Sequence, residues 1–454
     1  MRSPSSSPRE SCERATRRCL AAIAAPEGEG SRTFTQVYER AALEAAAAAD
    51  LRHREHAPRS PIDGCIVAVK DLFDVRGQTT WAGSRVLQSS PPAPTDAPAV
   101  SRLRQGGAVI IGKTSMTEFA YSGVGLNPHF GTPANPYGRS SGERRVPGGS
   151  SSGAAVAVSD GMADIGLGTD TGGSVRIPAA LCGLIGWKPT ARRISLEGVW
   201  PLARTFDSVG VIARSVQTCI DADAVLTAAP IGAEAKPPKQ LRLGRLRGYV
   251  ETELEAPVAR AYERALDRLE QAGVQLIDLD VPELERAIRE HPGVTMTTYE
   301  AFQAHAELLE RYADLYDPRV RTRLELGRNI TAEQYEEAAA VRRELQAAAS
   351  RALRAVDACL YPTVRITAPP FSAFEADVDY VTLNRALLRN TSLFNLLDGC
   401  ALSLPCHDAG QAPVGLSIAG SALADARILS IAHTLEPLVV TTLRTSTQNA
   451  SHSR

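Results

Sequence analysis

Three short stretches of this chain carry residue types that, brought together, cleave acyl bonds. The first is the apolar run Ile66-Val67-Ala68-Val69, which ends on Lys70. The second is Val146 to Gly153, VPGGSSSG. The third is Thr171-Gly172-Gly173-Ser174-Val175-Arg176. A serine hydroxyl needs a base to become a nucleophile, and the usual base is histidine. Lysine serves instead where burial lowers its pKa enough to leave it neutral. Four apolar residues before Lys70 predict such burial; the plainer alternative pairs Lys70 with Asp71 or another carboxylate at a strand end. The chain uses five lysines against 45 arginines. Generic positive charge is thus supplied by arginine, and a lysine in an apolar setting stands where arginine, which keeps its proton, cannot serve. Near Ser174, glycines permit a crowded turn in which the N–H groups of Thr171, Gly172, Gly173 and Ser174 converge on an oxyanion. Losing one such donor typically costs ~3 kcal/mol of transition-state stabilisation.

Two literal motif matches compete with this constellation. Gly149 to Gly153 fits the nucleophile-elbow pattern G-x-S-x-G with Ser151 as nucleophile, and His407 and His433 follow downstream. An elbow needs a hydrophobic strand feeding it, and GRSSGERRVP is polar and turn-forming. Gly107 to Thr114 spells a P-loop, G-x-x-x-x-G-K-T. Its four middle residues are Ala-Val-Ile-Ile, which predict a strand rather than a phosphate-cradling loop. By composition alone, VPGGSSSG reads as a flexible linker.

The elements that must position these residues alternate. Residues 33–55 carry an Ala-rich helical pattern. CIVAV up to Lys70, AVIIG near 108–112 and ADIGLGTD predict buried strands. From Gly148 to Gly186 there are ten glycines in 39 residues, against 35 in all 454, so backbones there pack closely. Residues 241–282 read as strand, helix, strand; residues 298–358 as helices; ACLYPTV and CALSLP as late strands. Strands alternating with helices give an α/β class. A net charge of −1 gives no bias toward nucleic acid or anionic membranes. No apolar run approaches the ~18 residues of a membrane span. The eight cysteines form no C-x-x-C pair and read as reduced thiols of a cytoplasmic protein. No histidine spacing suggests a metal site.

Taken together, IVAVKDLFDVRGQTTWAGS, KTSMTEFAYSGVGLNPHFGTPANP, PGGSSSGAAVAVSDGMADIGLGTDTGGSVRIPAALCGLIGWKPT, LRNTSLFNLLDGCALSLPC and PVGLSIAG resemble the amidase signature family, from about residue 34 to about 440. The resemblance implies a large mixed β-sheet core covered by helices on both sides. It implies a single domain over 28–440: a catalytic core of about 60–220 plus 380–440, a more variable substrate side of about 230–375, and flexible tails at 1–27 and 443–454. It assigns Lys70 as the catalytic lysine, Ser150 as a bridging serine after a cis peptide bond with Gly149, and Ser174 as the nucleophile. Thr171, Gly172, Gly173 and Ser174 become the oxyanion-hole backbone, with Gly149, Ser151, Asp170 and Arg176 in support. Ser151 and Ser152 are expected to start and cap the helix that follows. Two positions depart from the family pattern: Ser152 stands where glycine is common, and Ser417 where glutamine is common.

The implied activity is hydrolysis of a small carboxamide to carboxylate and ammonia through a Ser174 acyl-enzyme, with no metal or organic cofactor. The alternative within the family is the glutaminase (A-type) subunit of a tRNA-dependent amidotransferase, which depends on a partner chain. A non-catalytic scaffold and a nucleotide-binding protein are the readings from other classes. Direct nucleic-acid or membrane partners are not expected, and a homodimer is the base-rate expectation. Substrate-pocket residues are sought in 120–140 and 290–390, including Tyr121, Phe130, Tyr299 and Phe302.

Overall fold

A computed structural model of the chain describes residues 10–229, 232 and 235–441. Eleven strands form one sheet: β1 Phe34–Val37, β2 Ile66–Lys70, β3 Val109–Thr114, β4 Ile165–Thr169, β5 Ile185–Lys188, β6 Val209–Ala213, β7 Arg242–Leu246, β8 Gln275–Leu279, β9 Ala358–Pro362, β10 Cys400–Pro405 and β11 Gly415–Gly420. Their order is β1-β3-β2-β4-β6-β5-β10-β11-β9-β7-β8. β2 runs parallel to β3 and β4, and β7 parallel to β8 and β9; the remaining pairs are antiparallel. The sheet is mixed, as the resemblance implied.

Side chains alternate faces along each strand, and both faces are covered. Val67 and Val69 enter one apolar cluster with Ile165, Leu167 and Val211. Ile66 and Ala68 enter another with Val109, Ile111, Ala42 and Ala46. That second cluster overturns part of the expected tail. Cys12–Ala24 is a helix whose buried residues are Cys12, Thr16, Cys19 and Ile23. Their 4-3-4 spacing is a helical stripe, which an Arg- and Ser-rich composition conceals. Ser11 accepts the Arg14 N–H at 3.2 Å, and Asp50 accepts those of Cys12 and Glu13 at 2.7 and 3.0 Å. The stripe lies over Ala42, Ala46 and Ala49, small residues that let the two helices approach. Residues 1–9 and 443–454, also expected as flexible tails, lie outside the described residues.

Other expectations shift by a few residues. The 33–55 pattern divides into the edge strand β1 and a helix over Glu39–Arg54. β5, masked by the signature's glycine-rich composition, and β6 are further strands of the sheet. The 230–375 region supplies β7, β8 and β9 to the same sheet. The P-loop match is β3 entered from a turn, with Gly107 at φ +89°.

The Ser152–Ser159 helix lies over β4 because of its small residues: a Cβ placed on Gly166 would stand 2.9 Å from the Ala154 carbonyl oxygen. At the start of that helix, a Cβ on Gly168 would stand 2.6 Å from Ser151 Oγ, so the helix N-terminus sits against the C-terminal half of β4.

Candidate active site

Lys70 ends β2 and is wholly buried. Its ammonium donates to Ser150 Oγ at 2.7 Å and to Thr169 Oγ1 at 2.9 Å. Thr169 ends the neighbouring parallel strand β4, so pairing of two strands sets the Lys70–Thr169 contact. The carboxylate-pair alternative for Lys70 fails. Asp71 turns to Lys113, whose Nζ stands 3.2 Å away. Burial pulls the Lys70 pKa down to about 7, against the charges of Asp207 and Asp170. A group so poised exchanges a proton near neutrality.

The stretch that looked like a linker is buried from Val146 to Gly153. The Gly149–Ser150 peptide is cis. Gly149 N–H donates to the Gly123 carbonyl at 2.8 Å, and Thr117 N–H to the Ser150 carbonyl at 3.2 Å. Any Cβ on Gly149 would stand 2.6 Å from Gly125 N, so only glycine fits. Ser151 occupies the N-cap position of the following helix, but its hydroxyl does not cap it. That hydroxyl instead donates to the Thr169 carbonyl at 3.4 Å. This leaves Ser151 supporting the strand end, and the elbow reading has no exposed hydroxyl. The Ser152 hydroxyl is buried without a partner among the described residues. Neither histidine reaches the serines by hydrogen bond: His407 packs against Gly183, and His433 is exposed.

Ser174 is buried, and its carbonyl accepts the Ser151 N–H at 3.1 Å, which ties the two serine segments together. The turn around it is held by a buried polar network. Arg176 donates to both oxygens of Asp170 at 2.9 Å and to Asn395 Oδ1 at 2.6 Å. Asn395 Nδ2 returns to Asp170 Oδ1 at 2.9 Å. Although burial opposes it, the Arg176 guanidinium holds the Asp170 carboxyl well below the usual carboxylate range. Asp170 also accepts the N–H of Val175 at 3.2 Å. Thr391 donates to the Gly172 carbonyl at 2.6 Å, and a Cβ on Gly173, at φ +134°, would collide with the Thr391 hydroxyl. Among the described residues, the N–H groups of Thr171, Gly172, Gly173 and Ser174 donate to no other group. Four unengaged donors in one turn suit a developing oxyanion.

Thr169, Asn395, Thr391, Thr117 and Asp207 stand in this site without having been singled out from sequence. Thr169 alone carried a signal, since it closes the strand that delivers Asp170. Ser417, the second departure, shares a hydroxyl cluster with Thr363 at 2.9 Å, where Thr363 also meets Ser403 at 2.9 Å. Of the four aromatic pocket candidates, Tyr121 bonds Thr298 across the molecule at 3.2 Å and lies 4.1 Å beneath the Arg323 guanidinium. Phe130 stacks on Trp81, Tyr299 meets Tyr335 at a tilted 38°, and Phe302 lies under Arg328.

One further cluster lies outside this region. Donor atoms of Cys12, Asp50 and His53 lie within 4.8 Å of one another, where Asp50 already caps the first helix. The eight cysteines form no disulfide. Among the described residues, no helix is long and apolar enough to cross a membrane.

Comparison with known proteins places the chain in a family. The amidase family model matches residues 14–429. A Comamonas testosteroni protein named 2-amino-5-chloromuconic acid deaminase is 37% identical over 407 residues, covering 88% of this chain and 86% of that protein. The A-type chain of a glutamyl-tRNA(Gln) amidotransferase from Cupriavidus metallidurans is 32% identical, covering 94% of this chain and 93% of its own. A solved amidase crystal structure superposes with a TM-score of 0.85 at 32% identity, covering 95% of this chain and 97% of its own. By class the protein is a hydrolase of carbon–nitrogen bonds. The chain belongs to the amidase family.

Proposed function

We propose that this protein hydrolyses a small carboxamide to carboxylate and ammonia, with Ser174 as nucleophile, Ser150 as proton relay and Lys70 as base. The observation that carries the reading is the 2.7 Å bond between Lys70 and Ser150 in a setting where Lys70 has no ion-pair partner among the described residues. Neutral Lys70 takes the Ser150 proton as Ser150 takes that of Ser174. Ser174 Oγ attacks the amide carbonyl, and the N–H groups of Thr171, Gly172, Gly173 and Ser174 receive the oxyanion. The relay then runs backward: Ser150 protonates the leaving nitrogen, which departs as ammonia. Water enters by the same path and frees the carboxylate. Asp170 and Arg176 hold the turn, while Gly149 and Ser151 fix the relay serine.

The names of two relatives guide the substrate panel. One acts as a deaminase of an unsaturated amino acid, so small amino acids of that kind join simple amides in a screen for ammonia release. The other supports a second reading, the glutaminase component of an amidotransferase. Glutaminase activity that appears only with added partner chains selects that reading; ammonia release by the chain alone selects the first. The primary test is labelling by a fluorophosphonate probe. Labelling is expected in the wild type and absent in Ser174→Ala; labelling that survives Ser174→Ala and disappears in Ser151→Ala would contradict the assignment. The reduced thiols fit a cytoplasmic enzyme, and a homodimer remains the expectation for its assembly.

A further inference from the structure

Two carboxylates act on Lys70, and they differ. Asp170 is neutralised by Arg176 through two hydrogen bonds of 2.9 Å. Asp207, at the end of the loop that leads into β6, forms no ion pair among the described residues. Its side chain is buried. Oδ1 accepts the Thr171 hydroxyl at 2.5 Å. Oδ2 accepts the N–H groups of Leu202 at 3.0 Å and Ala203 at 3.1 Å. So the same carboxylate holds a residue of the glycine-rich turn, anchors the 202–207 loop and leaves its charge unneutralised within electrostatic reach of the lysine.

We propose that Asp207 is a positioning residue with two tasks: it pins Thr171, and therefore the N–H that Thr171 offers the oxyanion, and it supplies the negative charge that stabilises the protonated form of Lys70 as the relay runs. The second task follows from the relay. In each half-reaction the tetrahedral intermediate forms with the proton on Lys70, whose ammonium is wholly buried. A fixed, unneutralised carboxylate lowers the cost of that state. Without it, Lys70 is a weaker base. The inference rests on Lys70 being the base. Other charged groups near these two are accounted for: Asp71 pairs with Lys113, Asp170 with Arg176, and Lys188 lies beside that pair. Glu300, from the Pro292–Tyr312 helix, faces Asp207 and accepts the Thr205 N–H at 3.1 Å. Burial pushes the Asp207 carboxyl up to about 6 despite its hydrogen bonds, so it is ionised at neutral pH.

The test is the rate of fluorophosphonate labelling as a function of pH in full-length wild type and four variants. Asp207→Asn keeps the shape and the acceptor for the loop N–H groups but removes the charge. Its plateau rate is expected to fall about tenfold or more, and its acid limb to move to lower pH by about one unit, because Lys70 loses a group that favoured its protonated form. Asp207→Glu keeps the charge and misplaces Thr171: its plateau falls while its acid limb stays at the wild-type pH. Thr171→Val keeps the N–H but cuts the tether, with the same pattern. An Asp207→Asn acid limb that stays in place, whatever happens to the plateau, overturns the inference. So does a wild-type plateau in Thr171→Val. Lys70→Ala separates the two claims: wild-type labelling there overturns the base assignment itself, and the inference with it. If Asp207→Asn does not fold, judged by its thermal unfolding, Asp207→Glu and Thr171→Val decide the matter.

Discussion

At the scale of single residues, the proposed relay turns on one lysine being neutral. Burial takes Lys70 from the ordinary lysine range near 10.4 down to about 7. Its base form is the deprotonated one, so activity is expected to rise with pH through about 7 and level off above it. Below that point each pH unit costs about tenfold. Rates on the best substrate of an ammonia-release panel, measured from pH 5.5 to 9, check this, and a flat profile would contradict it. Lys70→Arg is expected to be inactive at every pH, because arginine retains its proton. Ser174→Ala is expected to lose on the order of a thousandfold or more in turnover, the scale seen when a nucleophile is removed. Ser150→Ala is expected to fall nearly as far, since it cuts the 2.7 Å hydrogen bond by which Lys70 reaches the serine pair.

At the scale of elements, rigid backbone supplies the precision. Three pieces converge: the ends of β2 and β4, the cis segment before the Ser152–Ser159 helix, and the turn before the Arg176–Leu181 helix. The Asp170–Arg176–Asn395 network clamps the last of these without exposure to water. Breaking a buried pair by removing one partner typically costs ~3–5 kcal/mol. Arg176→Ala is therefore expected to lose that much stability in denaturant unfolding, and a loss under ~1 kcal/mol would show that the clamp is not needed. Gly173→Ala tests the turn more locally. Its Cβ would collide with the Thr391 hydroxyl, at a φ of +134° that side chains avoid. Labelling by fluorophosphonate is expected to fail while the fold, read by circular dichroism, persists.

At the scale of the whole molecule, the chain was most legible where local pattern and chemistry coincide. IVAVK spells a buried strand and delivers its lysine, and TGGSVR spells its turn. What stayed hidden arises from long-range contact. Thr169 matters only because β4 pairs with β2, and Asp207 only because the 202–207 loop folds back onto Thr171. The first helix was hidden differently: its buried stripe of Cys12, Thr16, Cys19 and Ile23 is short and interrupted by arginines. Deleting residues 1–25 is expected to uncover the Ala42, Ala46 and Ala49 face and to lower the melting temperature by several degrees, whereas an unchanged melting curve would make that helix dispensable. Glycine density misled in the opposite direction, since VPGGSSSG has a linker's composition and a core segment's burial. The proposed mechanism depends on which hydroxyl attacks. Peptide mapping by mass spectrometry of the fluorophosphonate-labelled protein decides it: a single adduct on Ser174 is expected, and an adduct on Ser151, or on any peptide lacking Ser174, would overturn the proposal.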